Sequence, residues 1–126
     1  MKILVVDDSP TMRRIIVAQL GQLGYAEVVE ADNGQVALET LKKQPCDLVL
    51  TDWNMPFMDG RTMVIQLRQT EGWEQLPVLM VTTRNTKADV VDALKAGVNN
   101  YVVKPFKPSD LGKKIEAVLA AIAKAN

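Results

Sequence analysis

The segment LVLTDWNMPFMDG, residues 48–60, runs from apolar and β-branched residues straight into the carboxylate of Asp52. Because this run leaves no polar face for solvent, we predict a strand at residues 47–51 that is buried on both faces. A rigid residue, Pro56, and a residue without a side chain, Gly60, follow in the loop. A buried strand that ends on a bare carboxylate before a stiff loop indicates a chemical role for Asp52.

The overall composition is that of a globular domain with one core. The chain has 126 residues, 48% of them hydrophobic, and 15 basic residues balance 15 acidic ones. We therefore expect a single domain over residues 1–126, with a natural stop after the lysine-containing end, and no nucleic-acid binding driven by net charge. The sequence contains no histidine, which excludes Ser-His-Asp and Cys-His catalysis and a phosphohistidine carrier.

Two further features predict the location of the protein. Lone Cys46 cannot form an internal disulfide, which favours a reducing cytoplasm. No apolar run is long enough for a signal-peptide core or a membrane span. We expect a cytoplasmic monomer without membrane insertion.

Along the chain, strand patterns alternate with helix patterns. We predict strands at residues 3–6, 28–29, 47–51, 77–81 and 101–103. We predict helices at residues 10–23, 34–45, 62–69, about 85–96 and 108 to about 123, with Ser9-Pro10 and Asn33-Gly34 as start signals. This order predicts an α/β fold with a five-stranded parallel sheet, right-handed crossovers and helices on both faces.

Polar side chains follow four of the predicted strands. Asp7 and Asp8 follow the first strand, Asp52 the third, Thr82 the fourth and Lys104 the fifth. Ligands of open α/β sheets bind beyond the carboxyl ends of the strands, so these side chains should converge on one rim. Each residue alone also fits a helix cap or a solvated side chain, but their joint placement on strand ends favours a shared site.

The charges of this rim predict a bound cation. Three carboxylates at close range destabilise one another unless positive charge intervenes, and one divalent cation together with Lys104 would balance them. Carboxylates, a backbone carbonyl and waters are the hard oxygen ligands that magnesium prefers. The sequence therefore predicts a Mg²⁺ site.

Such a site suits phosphoryl transfer to a carboxylate. Asp52 beside a divalent cation can attack phosphorus to form an aspartyl phosphate, with Lys104 and Thr82 on the phosphoryl oxygens. Phosphatases with a D-x-D motif carry an acid two residues after the nucleophile, where this chain has Asn54. Without that acid/base group the phosphoaspartate should persist, so we expect a protein that holds the group and is not a turnover enzyme.

Four segments resemble the receiver domain of bacterial two-component response regulators. They are ILVVDDS (3–9), LVLTDWNMPFMDG (48–60), VLMVTT (78–83) and NYVVKPF (100–106), collinear over essentially the whole chain. Without an effector domain, the chain is most similar to the stand-alone chemotaxis regulators. The resemblance implies a doubly wound, flavodoxin-like (βα)5 three-layer sandwich, and its strand order 2-1-3-4-5 comes from the family and not from the residues.

The resemblance also assigns the acceptor and the metal ligands. Asp52 would be the phosphoacceptor. Asp8, Asp52 and the main-chain carbonyl of Asn54 would bind Mg²⁺ directly, and Asp7 would act through water.

Switching residues follow from the same resemblance. Thr82 would be the hydroxyl that moves toward the phosphoryl group, and Tyr101 the aromatic whose rotamer follows it. Lys104 would contact the phosphoryl group, and its bond to Pro105 would be a cis peptide.

An output face is implied on the fourth helix, fifth strand and fifth helix. Its predicted members are Lys87, Leu94, Tyr101, Val103, Lys107, Leu111 and Lys114. The expected partners are a sensor histidine kinase of the chemotaxis type, the flagellar motor switch protein and a phosphatase. Two alternatives stay open: a phosphorelay intermediate that serves a histidine phosphotransferase, and a phosphatase with an aspartyl-phosphate intermediate.

Three positions depart from the family pattern. Arg84 replaces a familiar acid, and Phe57 fills a loop position that is often small or polar; both flank the approach of water to Asp52 and bear on the phosphoryl lifetime. Lys107 stands where Ser or Thr usually caps the last helix. We expect that helix to start less firmly, with Ser109 and Asp110 in its first turn as partial compensation.

Overall fold

Five parallel strands alternate with five helices in the computed structural model, which describes residues 1–83 and 86–125. The elements are β1 Lys2–Val6, α1 Pro10–Gln22, β2 Glu27–Ala31, α2 Gly34–Lys43, β3 Leu48–Thr51, α3 Gly60–Arg68, β4 Val78–Thr82, α4 Lys87–Ala96, β5 Asn100–Val103 and α5 Pro108–Ala125. The sheet order is β2-β1-β3-β4-β5, so the predicted fold class is confirmed. Arg84, the predicted helix start near Asn85, and Asn126 lie outside the described residues.

The sheet separates two apolar cores because side chains alternate between its faces. One core, the α1/α5 cluster, comprises Ile3, Val5, Ile16, Leu20, Leu48, Leu50, Leu79, Val81, Val102, Leu111, Ile115 and Val118. The other, the α2–α4 cluster, comprises Leu4, Val6, Ala31, Ala37, Leu41, Val49, Trp53, Met63, Val64, Leu67, Val78, Met80, Ala93 and Val98. Each large aliphatic side chain stabilises the fold by about 1.5–3 kcal/mol through burial, so this double core holds every strand end in place.

Most elements differ from their predicted bounds by one or two residues, and for two of them the structure shows a local cause. Strand β2 is longer than the predicted two residues, because it lies at the sheet edge and its exposed Glu27 and Glu30 interrupt the apolar pattern. Helix α3 begins at Gly60 and not at residue 62. Its cap is Asp59, whose Oδ1 accepts a hydrogen bond from the Thr62 N–H at 2.8 Å.

Helix α5 begins at Pro108 without a Ser or Thr cap, as the sequence predicts. The Asp110 carboxylate accepts a hydrogen bond from the Lys107 N–H at 3.0 Å, which is the return half of a capping box. Asp110 thus compensates for the missing Ser or Thr cap through a hydrogen bond as well as through its charge.

The amino-terminal edge of the sheet is tied together by Arg68, at the end of α3. Its guanidinium donates hydrogen bonds to the carbonyls of Trp73, Leu76 and Gly97 and to Oδ1 of Asn99, at 2.7–3.0 Å. Gly97 has φ +120°, and a Cβ there would lie 2.8 Å from Cγ of Arg68. This arrangement fixes the segments that lead into β4 and β5. No helix among residues 1–83 and 86–125 is long and apolar enough to cross a bilayer.

Candidate functional site

Three carboxylates meet at the carboxyl edge of the sheet. Strands β1 and β3 are neighbours with Val6 opposite Thr51, so Asp7 and Asp52 leave the sheet side by side. One oxygen from each of Asp7, Asp8 and Asp52 lies within 4.8 Å of the others. The structure therefore brings together the three acids that the strand pattern places on one rim.

Lys104 follows β5, the end strand of the sheet, and its side chain reaches across to two of these acids. Its Nζ lies 3.1 Å from Oδ2 of Asp7 and 3.4 Å from Oδ2 of Asp52, and its side chain is only 13% exposed. The Lys104 N–H donates to the Thr82 carbonyl at 2.8 Å, and the Lys104–Pro105 peptide is cis, as the resemblance implies. One ammonium thus lies within reach of any oxygen placed on Asp52.

Asp7 and Asp8 stand in different surroundings. Asp7 is 1% exposed, and both its oxygens have protein partners: Oδ1 accepts from the Ser9 N–H at 2.9 Å, and Oδ2 lies beside Lys104. Asp8 is exposed to solvent. The geometry favours Asp8 over Asp7 as a direct ligand for a cation.

Asp52 keeps an elevated pKa despite its cationic neighbour. Burial is the main cause and Asp7 adds to it, while Lys104 and the Trp53 N–H, 2.7 Å from Oδ1, act in the opposite direction. Independently of that shift, three carboxylates stand against the single ammonium of Lys104, so these four groups carry a formal surplus of negative charge. The hard oxygen set and this surplus charge fit a divalent cation such as Mg²⁺.

The loop after Asp52 is fixed by its backbone. The Gly60 N–H donates to the Trp53 carbonyl at 3.0 Å, and a Cβ at Gly60 would overlap the carbonyl oxygen of Asp52. Trp53 itself is buried in the α2–α4 cluster at 6% exposure. The rigid loop therefore holds the Asp52 carboxylate in place, and it leaves Asn54 exposed beside it.

Thr82 and Tyr101 share one face of the sheet. Thr82 ends β4 at 1% exposure, and alternation places it on the same side as Met80, whose register partner is Tyr101. Thr82 does not cap α4, because the cap is Thr86. The two predicted switch residues therefore lie against the same core, the α2–α4 cluster.

Comparisons with known proteins agree with this geometry. Residues 3–116 match the family described as the response regulator receiver domain. The chain belongs to this family. Chemotaxis protein CheY1 of Helicobacter pylori is 52% identical to it over 120 residues, covering 94% of this chain and 97% of the relative. Chemotaxis protein CheY of Pseudomonas aeruginosa is 46% identical over 122 residues, covering 97% of this chain and 98% of the relative.

Solved structures show the same receiver-domain fold. The chemotaxis response regulator CheY4 of Vibrio cholerae superposes with a TM-score of 0.86 at 34% identity, covering 93% of this chain and 97% of that one. The receiver domain of a sensor histidine kinase from Pseudomonas aeruginosa, whose structure has magnesium coordinated in the active-site cleft, gives 0.85 at 30% identity, covering 94% and 97%.

The predicted output face of the receiver domain needs one correction. Leu111 is 0% exposed, because it belongs with Ile115 and Val118 to the helical stripe that packs on the sheet. Lys87, Leu94 and Lys107 are exposed, while Tyr101, Val103 and Lys114 are partly exposed.

Sequence reasoning missed two features of this surface. Val91 on α4 is 40% exposed, in line with Lys87 and Lys95 at four-residue spacing. The Lys114 ammonium lies 4.8 Å from the centroid of the Tyr101 ring. The Val91 position follows from helical periodicity, but no sequence signal marks the cation–π contact.

Proposed function

We propose that this receiver domain is a phosphorylation-controlled signalling switch. It accepts a phosphoryl group on Asp52 from the phosphohistidine of a sensor histidine kinase and thereby changes its affinity for a downstream protein. The observation that carries this proposal is the Asp52 carboxylate at the end of β3, with two further acids and the Lys104 ammonium within a few ångströms.

The transfer step needs little more than these residues. A carboxylate oxygen of Asp52 forms the new P–O bond while the P–N bond of the phosphohistidine breaks. The electron pair of that bond returns to the ring nitrogen, and the histidine, protonated on its other nitrogen, leaves as neutral imidazole. Lys104 offsets the charge on the transferred oxygens, and the Thr82 hydroxyl donates a hydrogen bond to one of them.

Magnesium fits this rim as the cofactor. Asp8, Asp52 and the main-chain carbonyl of Asn54 would hold it, with Asp7 acting through water. When bound, Mg²⁺ supplies charge neutralisation at the phosphoryl oxygens. Support comes from the three carboxylates gathered at the rim and from the magnesium in the cleft of the Pseudomonas aeruginosa receiver domain.

The aspartyl phosphate should persist long enough to signal. Asn54 offers no general base at the position where D-x-D phosphatases carry one. This disfavours the phosphatase alternative. A phosphorelay role would require transfer back to a histidine protein, and that reverse reaction separates it from the switch.

The downstream partner in this proposal is a flagellar motor switch protein. Support comes from the chemotaxis proteins of Helicobacter pylori and Pseudomonas aeruginosa at 52% and 46% identity. The partner would meet the face formed by α4, β5 and α5, and a chemotaxis kinase and a phosphatase would act on the same cytoplasmic monomer.

The proposed acceptor is tested with phosphoramidate and Mg²⁺, followed by intact-mass measurement. We expect one added phosphoryl group on the wild-type chain and none on Asp52→Asn, since only a carboxylate at this position can form the acyl phosphate. A phosphoryl group that persists on the mutant chain would place the acceptor elsewhere.

The proposed cation is tested by its effect on stability. At ten times its dissociation constant, Mg²⁺ should raise the free energy of unfolding by about 1.4 kcal/mol and change the fluorescence of Trp53, which adjoins Asp52. Asp8→Asn should lose most of both effects. An equal response of wild type and Asp8→Asn would contradict the assigned ligands.

A further inference from the structure

Phe57 is an exposed aromatic side chain in the loop beside the acceptor. It is 93% exposed, whereas the next most exposed large hydrophobic side chain within the described ranges, Leu94, is 47% exposed. Single surface aliphatic residues are ordinary, but an entire aromatic ring in solvent leaves its whole apolar surface unburied. The fold gains nothing from this ring through packing.

The backbone holds Phe57 in a conformation that suits other residues better. Its φ is +67°, and the Met58 N–H donates to the Pro56 carbonyl at 2.8 Å, which closes a γ-turn around Phe57. Glycine and asparagine adopt positive φ far more readily than phenylalanine. The Met58 carbonyl accepts from the Gly34 N–H at 2.9 Å, so the turn is anchored to α2 and presents the ring from a fixed base.

The loop geometry keeps Phe57 close to Asp52. Three peptide units separate Phe57 from Gly60, which limits the distance between their Cα atoms to about 11 Å. Gly60 lies directly against Asp52, because a Cβ on Gly60 would overlap the Asp52 carbonyl oxygen. A stable interface covers about 800 Å² per partner, a disc of about 16 Å radius, so a protein docked over Asp52 reaches Phe57.

The phosphoryl donor is a partner that must dock over Asp52, as a phosphatase would after transfer, and we argue for the donor because the proposed switch cannot start without it. Transfer brings the donor nitrogen, the phosphorus atom and the Asp52 oxygen into one line at near-bonding distance, so the surface around the donor histidine covers the rim. A downstream partner on the α4, β5 and α5 face has no such requirement. The position of the ring beside Asp52 therefore favours the phosphoryl donor over the downstream partner.

We propose that Phe57 is an apolar docking anchor for the phosphohistidine-bearing donor protein, inserting its ring into an apolar pocket near the donor histidine. This inference rests on the proposed function. A rigidly presented aromatic ring loses little conformational freedom on binding, which makes it an effective anchor and a source of partner specificity.

The experiment compares two donors on four chains. The donors are phosphoramidate, a small molecule with no surface that could dock on Phe57, and a histidine kinase of the source cell. The kinase is autophosphorylated with ATP and selected for transfer to the wild-type chain. The chains are wild type, Phe57→Asn, Phe57→Gly and Phe57→Tyr. Asn and Gly accept the positive φ and remove the ring, so these variants should fold at least as well as wild type. Tyr keeps the ring on the same backbone.

We expect Phe57→Asn and Phe57→Gly to lower the apparent second-order rate constant of transfer from the kinase by at least about tenfold, the value of one buried aromatic side chain. Their labelling by phosphoramidate should match wild type within about twofold, and Phe57→Tyr should retain most of the kinase reaction. Equal kinase transfer to wild type and Phe57→Asn would overturn the anchor alone. Equal loss with both donors would show instead that the ring acts on the acceptor site.

Two other outcomes separate the anchor from the proposed function. A wild-type chain that phosphoramidate labels but no phosphohistidine protein does would overturn the anchor and leave Asp52 as the acceptor. A wild-type chain that neither donor labels would overturn the proposed function itself.

Discussion

The two edges of the sheet each depend on one long cationic side chain, but the surroundings of the two cations are opposite. At the amino-terminal edge, Arg68 donates five hydrogen bonds to neutral oxygens, and burial lowers its pKa from the ordinary value. At the carboxyl edge, Lys104 faces the carboxylates of Asp7 and Asp52, and the pKa of Asp52 remains raised. At the first edge the cation pairs with neutral oxygens, whereas at the second edge three carboxylates gather around one ammonium.

Arg68→Ala should give the largest change in stability. The substitution leaves the carbonyls of Trp73, Leu76 and Gly97 without their donor, so we expect a loss of about 2–4 kcal/mol in the free energy of unfolding by urea. Folded Arg68→Ala should still be labelled by phosphoramidate, because Arg68 and its hydrogen-bond partners lie at the edge of the sheet opposite Asp52.

The matched control is another arginine of the same helix. Arg61 pairs with Asp92 at 3.3 Å, and both side chains are about half exposed, at 51% and 48%. Arg61→Ala should therefore change stability by no more than about 0.5 kcal/mol. If Arg61→Ala and Arg68→Ala lower the free energy of unfolding equally, the hydrogen bonds of Arg68 have no special role in stability. The contrast between the two edges would then disappear.

Thr82→Ala should give the next largest effect, on switching. A complete switch from about 1% to 99% active requires about 5.5 kcal/mol. One hydroxyl hydrogen bond to a charged acceptor supplies about 1.5–3 kcal/mol, so the variant should accept phosphate yet lose about 10- to 150-fold of the phosphate-dependent gain in partner affinity. Titration of labelled and unlabelled chains with the motor switch protein measures that gain. The full wild-type gain in Thr82→Ala would exclude the hydroxyl as the coupler.

Asp52→Asn should give the smallest effect, a gain in stability in metal-free buffer. The raised pKa means that the folded chain binds this proton more tightly than the unfolded chain, so the ionised carboxylate weakens the fold at neutral pH. The weakening fades as the pH falls through the folded pKa. We expect a gain of about 0.5–2 kcal/mol near neutral pH that shrinks in mild acid. A less stable Asp52→Asn would mean that the Lys104 pair outweighs the charge surplus.

The sequence predicts the carboxyl edge well and the amino-terminal edge hardly at all. Asp52 and Lys104 follow apolar strands directly, so strand pattern and topology suffice to bring them together. Arg68 binds backbone carbonyls, which every residue carries, and nothing in the side-chain pattern marks which of them lie within its reach. A bond to a carbonyl leaves no trace in sequence, whereas a cluster of like charges does.

The remaining differences have local causes. The family resemblance places Leu111 on the output face, but its helical spacing with Ile115 places it in the core. The structure agrees with the helical spacing, because both side chains are fully buried. The sequence pattern places Asp59 in the loop before α3, whereas the structure shows that its Oδ1 caps this helix. For Phe57, the sequence shows a departure from pattern, but only the backbone reveals a positive φ and a ring in solvent.

Because the sheet divides the apolar interior in two, we expect conservative core substitutions on its two faces to have different effects in the cell. Thr82 and Tyr101 both face the α2–α4 cluster, and the sheet separates these two proposed switch residues from the α1/α5 cluster. A substitution such as Ile115→Val should reduce how much protein a cell maintains without changing what each molecule transmits. A substitution such as Met80→Leu, beside Tyr101, should leave the amount nearly unchanged and alter the resting signal.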